Sequence, residues 1–154
     1  VLRSESTGSV HIKSADPAEP PAIRFNFLST EHDRTGIVNV LRKGRELMAT
    51  SPLKEVTGQE IAPGSHLQSD ADLLEWVRNN AETTYHPVGT CKMGNDPRAV
   101  VDPELRVHGI AGLRIADASI MPTLTSGNTN APAIMIGEKC ASMVLAAADV
   151  ARAA

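Results

Sequence analysis

From Pro132 to about Ala148 apolar side chains fall on nearly every side of a helical wheel, so a helix formed there is expected to be largely buried. Asn130 is a candidate N-cap for it, and Ala131 and Pro132 follow at positions where a missing amide hydrogen does no harm. The wider apolar stretch, Ala133 to Val150, is broken by Glu138, Lys139, Ser142 and Asp149. It therefore falls short of the ~20 unbroken apolar residues that a membrane span requires. A chain of 154 residues has room for one domain with a real core, at the usual ~100–200 residues per domain. Lys+Arg 15 against Asp+Glu 18 gives a net charge of −3, and 42% of residues are hydrophobic. That balance argues against disorder and against a basic surface for nucleic acid. The expectation is one mildly acidic domain over residues 1–154.

The remainder of the chain supplies both strands and helices. Gly8 to Ser14 and Ala22 to Leu28 alternate apolar and polar residues and predict two strands. Three prolines between them, in Ala15 to Pro21, exclude a helix and predict a turn or an edge crossing. Ile37, Val40, Leu41, Leu47 and Met48 recur at helical spacing from Glu31 to about Thr50, with Ser29 and Thr30 as candidate caps. Ser51 to Gln68 is a loop of unusual length, which predicts a substrate lid or a partner contact. A second helix is predicted to start at Ser69, which can cap the amide of Asp72. It carries Leu73, Leu74, Val77 and Ala81 on its apolar face and ends near Glu82. Short β-like pieces follow at Ala99 to Val101, Leu105 to Val107 and Leu113 to Ala116, and the alanine-rich end is expected to fray. These patterns mix strands and helices along one chain.

Cys91 and Cys140 lie far apart and form no CxxC pair, which disfavours a zinc site or a disulfide scaffold and predicts a reduced, cytoplasmic setting. The first residues show neither a basic nor an apolar leader segment, so no signal peptide is expected.

Three segments can carry chemistry. His86 lies in a Pro/Gly-rich stretch, HPVG, that holds the backbone and can aim the ring into a cavity. An imidazole titrates near pH ~6.5 and can accept a proton at neutral pH, but the same ring serves as well as a hydrogen-bonded structural histidine. Ser126 to Pro132, SGNTNAP, leads into the last helix, whose unpaired amides and positive dipole end favour a substrate oxygen or an electron-rich cofactor edge. An Asn-rich cap accounts for it equally. In Leu113 to Pro122, LRIADASIMP, the small residues Ala118 and Ser119 beside Asp117 allow either close approach of a ligand or tight packing at a strand end. No HExxH, CxxC or carboxylate cluster supports a metal.

Taken together, YHPVGTCKMG, VVDPELRVHGIAGLRIADASIMP and SGNTNAPAIMIGEKCA resemble, in order, the C-terminal part of glucose–methanol–choline (GMC) flavoprotein oxidoreductases, in their choline and alcohol dehydrogenase-like branch. GSVHIKSADPAEPPAIRFNFLS resembles the strand pair of the same region, so the likeness covers almost the whole chain. It implies an α+β fold, an antiparallel sheet with helices packed against it and FAD-linked reductase C-terminal-domain-like, in a protein that oxidises the CH–OH group of a small-molecule alcohol to an aldehyde or ketone. His86 would take the hydroxyl proton while hydride passes to flavin N5, and Asn128 would hydrogen-bond the substrate oxygen. Asp117 and Ala118 would meet FAD through the backbone near the ribityl chain. Asn130, Ala131 and Pro132 would lie along the isoalloxazine ring, with the helix dipole facing its N1/C2 edge.

No GxGxxG fingerprint occurs in the chain, which the resemblance therefore reads as a C-terminal fragment lacking the N-terminal Rossmann-like FAD domain. FAD would be bound mostly by that missing domain, and the fragment alone would bind it weakly and show no turnover. Much of the substrate cavity would also lie outside the chain, whose only aromatics are Phe25, Phe27, Trp76 and Tyr85. The rival readings are a non-catalytic binding or assembly module that keeps the fold, and, on scattered histidines alone, a metal-dependent hydrolase.

Overall fold

The computed structural model describes residues 2–153, so Val1 and Ala154, the ends of the expected domain, lie outside the described residues. The chain sorts into two compact units, residues 3–84 and 85–154.

In the first unit both expected strands form and pair antiparallel. They are β1 (Ser9–His11) and β2 (Ala22–Arg24), with Val10 opposite Ile23. Each is shorter than its sequence pattern. Beyond Arg24 the chain turns at Asn26 and Leu28, both at left-handed φ, 57° and 56°, and Asn26 Nδ2 donates to Thr7 O at 3.0 Å. Gly8 is fixed by close approach, since a Cβ there would lie 1.9 Å from Arg24 O and 2.7 Å from Phe25 O. Gly8→Ala is expected to part the ribbon and cost about 1–3 kcal/mol, the range for forced overpacking. A thermal melt checks this, and an unchanged midpoint contradicts it.

Helix α1 (Glu31–Met48) starts where expected, with Thr30 Oγ1 accepting the Asp33 amide at 3.2 Å. Its inward face differs from the expected one. Val38 is buried and Ile37 and Leu41 are half-buried, whereas Val40, Leu47 and Met48 are exposed. The reason is the partner helix over Asp70–Asn80, because packing against it selects a single stripe of α1. A four-residue helix α2 (Leu53–Val56) interrupts the long loop. Helix α3 (Asp70–Asn80) is capped as expected by Ser69, whose Oγ accepts the Asp72 amide at 3.1 Å, and Leu73 and Val77 on the expected face are buried. It ends two residues before Glu82, where Ala81 turns to extended backbone.

The loop between α2 and α3 is tied to α1 by two arginines. Arg45 pairs with Glu60 at 2.8 Å and donates to Leu67 O at 2.9 Å and Gly64 O at 3.1 Å, while Arg42 reaches Gln68 O at 3.0 Å. Hydrogen bonds from Arg45 hold the Glu60 carboxyl below its ordinary range.

In the second unit Val101, Leu105, Ile120, Met121 and Ile136 form the core. The β-like pieces of the sequence meet here only as isolated bridges, Val101 with Val107 and Arg106 with Arg114. Tight reversals prevent a ladder, since Leu105 sits at φ 65° and Gly109 and Gly112 at φ 79° and 76°. Helix α4 (Asn130–Ala153) runs beyond the expected end at Ala148. Contrary to expectation it is not largely buried. Ile136 is covered and Cys140 and Met143 are half-covered, but Ile134, Met135, Val144 and Leu145 are exposed, because only one face has neighbours among the described residues.

The architecture is thus helices with a small two-stranded sheet. Among the described residues the helices pack on one another and on a short 3₁₀ turn (Ala118–Ile120), and not on the sheet. No helix among them is long and apolar enough to cross a membrane.

Candidate active site

All seven residues singled out for chemistry fall in the second unit, and its core draws their segments together. The HPVG segment runs along the 3₁₀ turn. Cys91 N donates to Ser119 O at 3.0 Å, Met93 N donates to Ile120 O at 2.7 Å, and Val88 packs on the core. Gly89, at φ 86°, passes so close that a Cβ would lie 3.3 Å from Met121 O. This second constraint on the segment went unread in the sequence, although the Gly of HPVG was its signal.

His86 is half-buried, and its Nδ1 is shielded from solvent with no hydrogen-bond partner. Tyr85 immediately before it holds a left-handed φ of 59°, a conformation that costs an L residue roughly 1–2 kcal/mol. The ring therefore leaves the backbone from a strained position, of the kind that clusters at functional sites.

The 3₁₀ turn places the second pair. Asp117 is its N-cap, with Oδ1 accepting the Ser119 amide at 2.7 Å. Its carboxylate is thus committed to local structure, and its carbonyl accepts Ile120 N at 3.3 Å, in a residue that is exposed overall. Ala118 is half-buried and packs on the core.

Helix α4 begins one residue before the expected point, so Asn130 is its first residue and not its cap. Thr129 occupies the cap place, its carbonyl accepting Ala133 N at 2.9 Å. Asn130 and Ala131 are exposed and Pro132 is half-buried. The amides of Asn130 and Ala131 have no carbonyl to bond within the helix, and they carry the positive end of its dipole. Just upstream, Thr125 Oγ1 donates to Gly127 O at 3.0 Å and fixes the turn before Asn128. The Asn128 side chain is exposed and makes no hydrogen bond among the described residues.

The start of α4 thus offers amide donors, a positive dipole end and small side chains. The Ala118 turn packs against α4, and the HPVG segment lies on that same turn. Such a donor set suits an electron-rich planar edge or an oxygen that gains negative charge. It fits one edge of a flavin, while no Gly-rich cradle for the pyrophosphate of FAD is present.

The GMC oxidoreductase family model matches residues 4–137. The oxygen-dependent choline dehydrogenase of Escherichia coli O127:H6 (strain E2348/69 / EPEC) is 54% identical over 143 residues, which are 93% of this chain and 26% of that protein. Pyridoxine 4-oxidase from Mesorbium loti is 34% identical with a TM-score of 0.86, over 92% of this chain and 28% of that one. A variant of Aspergillus oryzae RIB40 formate oxidase, solved for an effect on its FAD modification, is 33% identical with a TM-score of 0.84, over 90% of this chain and 24% of that one. The chain therefore spans about a quarter of the length of the curated relatives it matches. With motifs, core and family model in agreement over most of its residues, the chain belongs to the GMC oxidoreductases and corresponds to their C-terminal domain.

Proposed function

We propose that this chain is the substrate-side domain of an FAD-dependent alcohol oxidoreductase, with His86 as proton acceptor and Asn128 as the group that orients the substrate oxygen. One observation carries the reading. A single core gathers Val88 of the HPVG segment, Ala118 of the 3₁₀ turn and Ile136 of α4, so the elements that carry the candidate residues are packed on one another. In the whole protein the fold completes as α+β, with the ribbon of β1 and β2 extended into an antiparallel sheet. The apolar, exposed faces of Val10, Ile23, Phe25 and Phe27 support that completion.

FAD, when bound, supplies the acceptor for the hydride that leaves the substrate carbon. The chain's own residues do the rest. Neutral His86 takes the hydroxyl proton, and the Asn128 amide donates to the oxygen without adding a titrating charge. The alcohol loses one proton and one hydride and becomes an aldehyde or ketone. The backbone of Asp117 and Ala118, together with Asn130, Ala131 and Pro132, would hold the flavin part of FAD. The N-terminus of α4, with its free amides and positive dipole end, would favour negative charge on the flavin. The pyrophosphate and adenosine are held by the remainder of the protein, its own N-terminal FAD domain, so the chain alone binds FAD weakly. The 54% identity to a choline dehydrogenase makes choline the first alcohol to try.

The test is an anaerobic visible spectrum of the whole protein before and after addition of primary alcohols, choline among them. Bleaching of the oxidised flavin band by one of them is the expected result. A flavin that none of them bleaches removes this substrate class, and a protein without flavin is a non-catalytic module.

A further inference from the structure

Among the described residues no hydrogen bond reaches the His86 ring, and its Nδ1 is enclosed by the chain's own atoms. A ring held by no directed bond takes its place from its rotamer and from the backbone that carries it. The seat of the HPVG segment therefore decides where the imidazole lies.

That seat is the 3₁₀ turn. Downstream of the ring, Cys91 N donates to Ser119 O at 3.0 Å and Met93 N to Ile120 O at 2.7 Å. Closer to His86 the backbone approaches the turn at Gly89, which holds φ 86° and leaves only 3.3 Å between the place of a Cβ and Met121 O. The Met121 carbonyl has little room to retreat, since Met121 is only 5% exposed and its amide donates to Ala118 O at 3.2 Å. Two independent features thus exclude a side chain at Gly89, the left-handed backbone and the crowded Cβ. Between Gly89 and the ring, Val88 packs on the core and Pro87 biases His86 to extended backbone, so few soft torsions remain to absorb a shift.

We propose that Gly89 is a positioning residue for the reaction: the close seat of its backbone on the Met121 carbonyl sets how His86 meets the substrate hydroxyl. This rests on the reading of His86 as proton acceptor and deepens it, and a double-mutant cycle tells the failure of one from the failure of the other.

The cycle combines Gly89→Ala with His86→Ala in the whole flavoprotein and reads the rate of flavin reduction at saturating alcohol. Gly89→Ala is expected to slow it about tenfold or more, toward the ~10²-fold that a 1 Å misplacement can cost, with flavin still bound. In the His86→Ala background the same substitution is expected to change the rate less than about twofold, because no base remains to be misplaced. Met143→Ala serves as the control. It loosens the same core far along α4 from its start, and it is expected to lower the melting temperature and leave the rate unchanged. A similar fold-loss in both backgrounds, no loss in the native one, or an equal slowing by Met143→Ala overturns the positioning role while the base reading stands. Loss of flavin along with the rate overturns it too, since the seat would then hold the cofactor. A rate unchanged by His86→Ala removes the base reading and the positioning role with it. If Gly89→Ala does not fold, Gly89→Asn takes its place in the cycle, because asparagine tolerates a left-handed φ yet brings the same Cβ.

Discussion

His86→Ala in the whole flavoprotein is expected to slow flavin reduction by the alcohol ~10²–10⁴-fold, the usual contribution of a positioned general base, with FAD still bound. The substitution removes the one imidazole in the three converging segments, and no other side chain of HPVG can accept a proton. Retention of FAD follows from where the proposed flavin contacts lie, on the 3₁₀ turn and the start of α4. Both are held by backbone bonds in which His86 takes no part, such as Cys91 N to Ser119 O and Ala133 N to Thr129 O. Anaerobic stopped-flow absorbance reads the rate, and the spectrum of the resting enzyme reads the flavin content. A rate unchanged by the substitution removes His86 from the chemistry. Loss of flavin along with the rate would give His86 a structural part in holding the cofactor.

Local chemistry was legible in this sequence wherever one residue decides the outcome. Thr30 and Ser69 each cap the helix that follows, and Leu73 and Val77 face inward at the predicted spacing. Longer-range choices were less legible. Helix α1 carries apolar residues on more than one side, so spacing alone could not say that Val38, and not Val40 or Leu47, would meet α3. Burial of α4 was over-read for a related reason. An apolar pattern says that a surface seeks cover, not what covers it, and this chain amounts to 26% of a relative's length. The candidate site residues came from motifs that resemble a family, and the segments that carry them share one core. The arginine clasp on Glu60 and the buried carboxylate of Asp33 went unread, since both join residues whose charges read in sequence as an ordinary solvated face.

Asp33 carries the second large effect. Its carboxylate is only 2% exposed, yet its three partners are donors without formal charge: Ser4 Oγ at 2.6 Å, Glu5 N at 3.0 Å and Ser6 N at 2.8 Å. Ser6 is tied in turn to the start of α1, its Oγ accepting Ser29 N at 3.0 Å, so one carboxylate fastens the segment from Ser4 to Ser6 to that helix. Burial pushes the Asp33 carboxyl upward, but the bonds from Ser4, Ser6 and Glu5 outweigh it and hold the group well below the usual carboxylate range. The position of Asp33 in the first turn of α1 adds a favourable dipole. Asp33→Ala strands all three donors and is expected to cost about 3 kcal/mol, at the upper end for hydrogen bonds to a charged group. Asp33→Asn keeps the size but turns one acceptor into a donor facing donors, so it should rescue little of that loss. Because the folded carboxyl titrates lower than the unfolded one, its stabilisation is complete above about pH 4 and is lost as pH falls further, toward the folded value. Denaturant melts of the native and Asp33→Ala proteins should therefore differ by a constant amount from pH 8 to 5 and converge below about pH 4. A difference that persists unchanged at pH 3, or one under about 1 kcal/mol at neutral pH, would mean that the charge of Asp33 does not hold the segment in place.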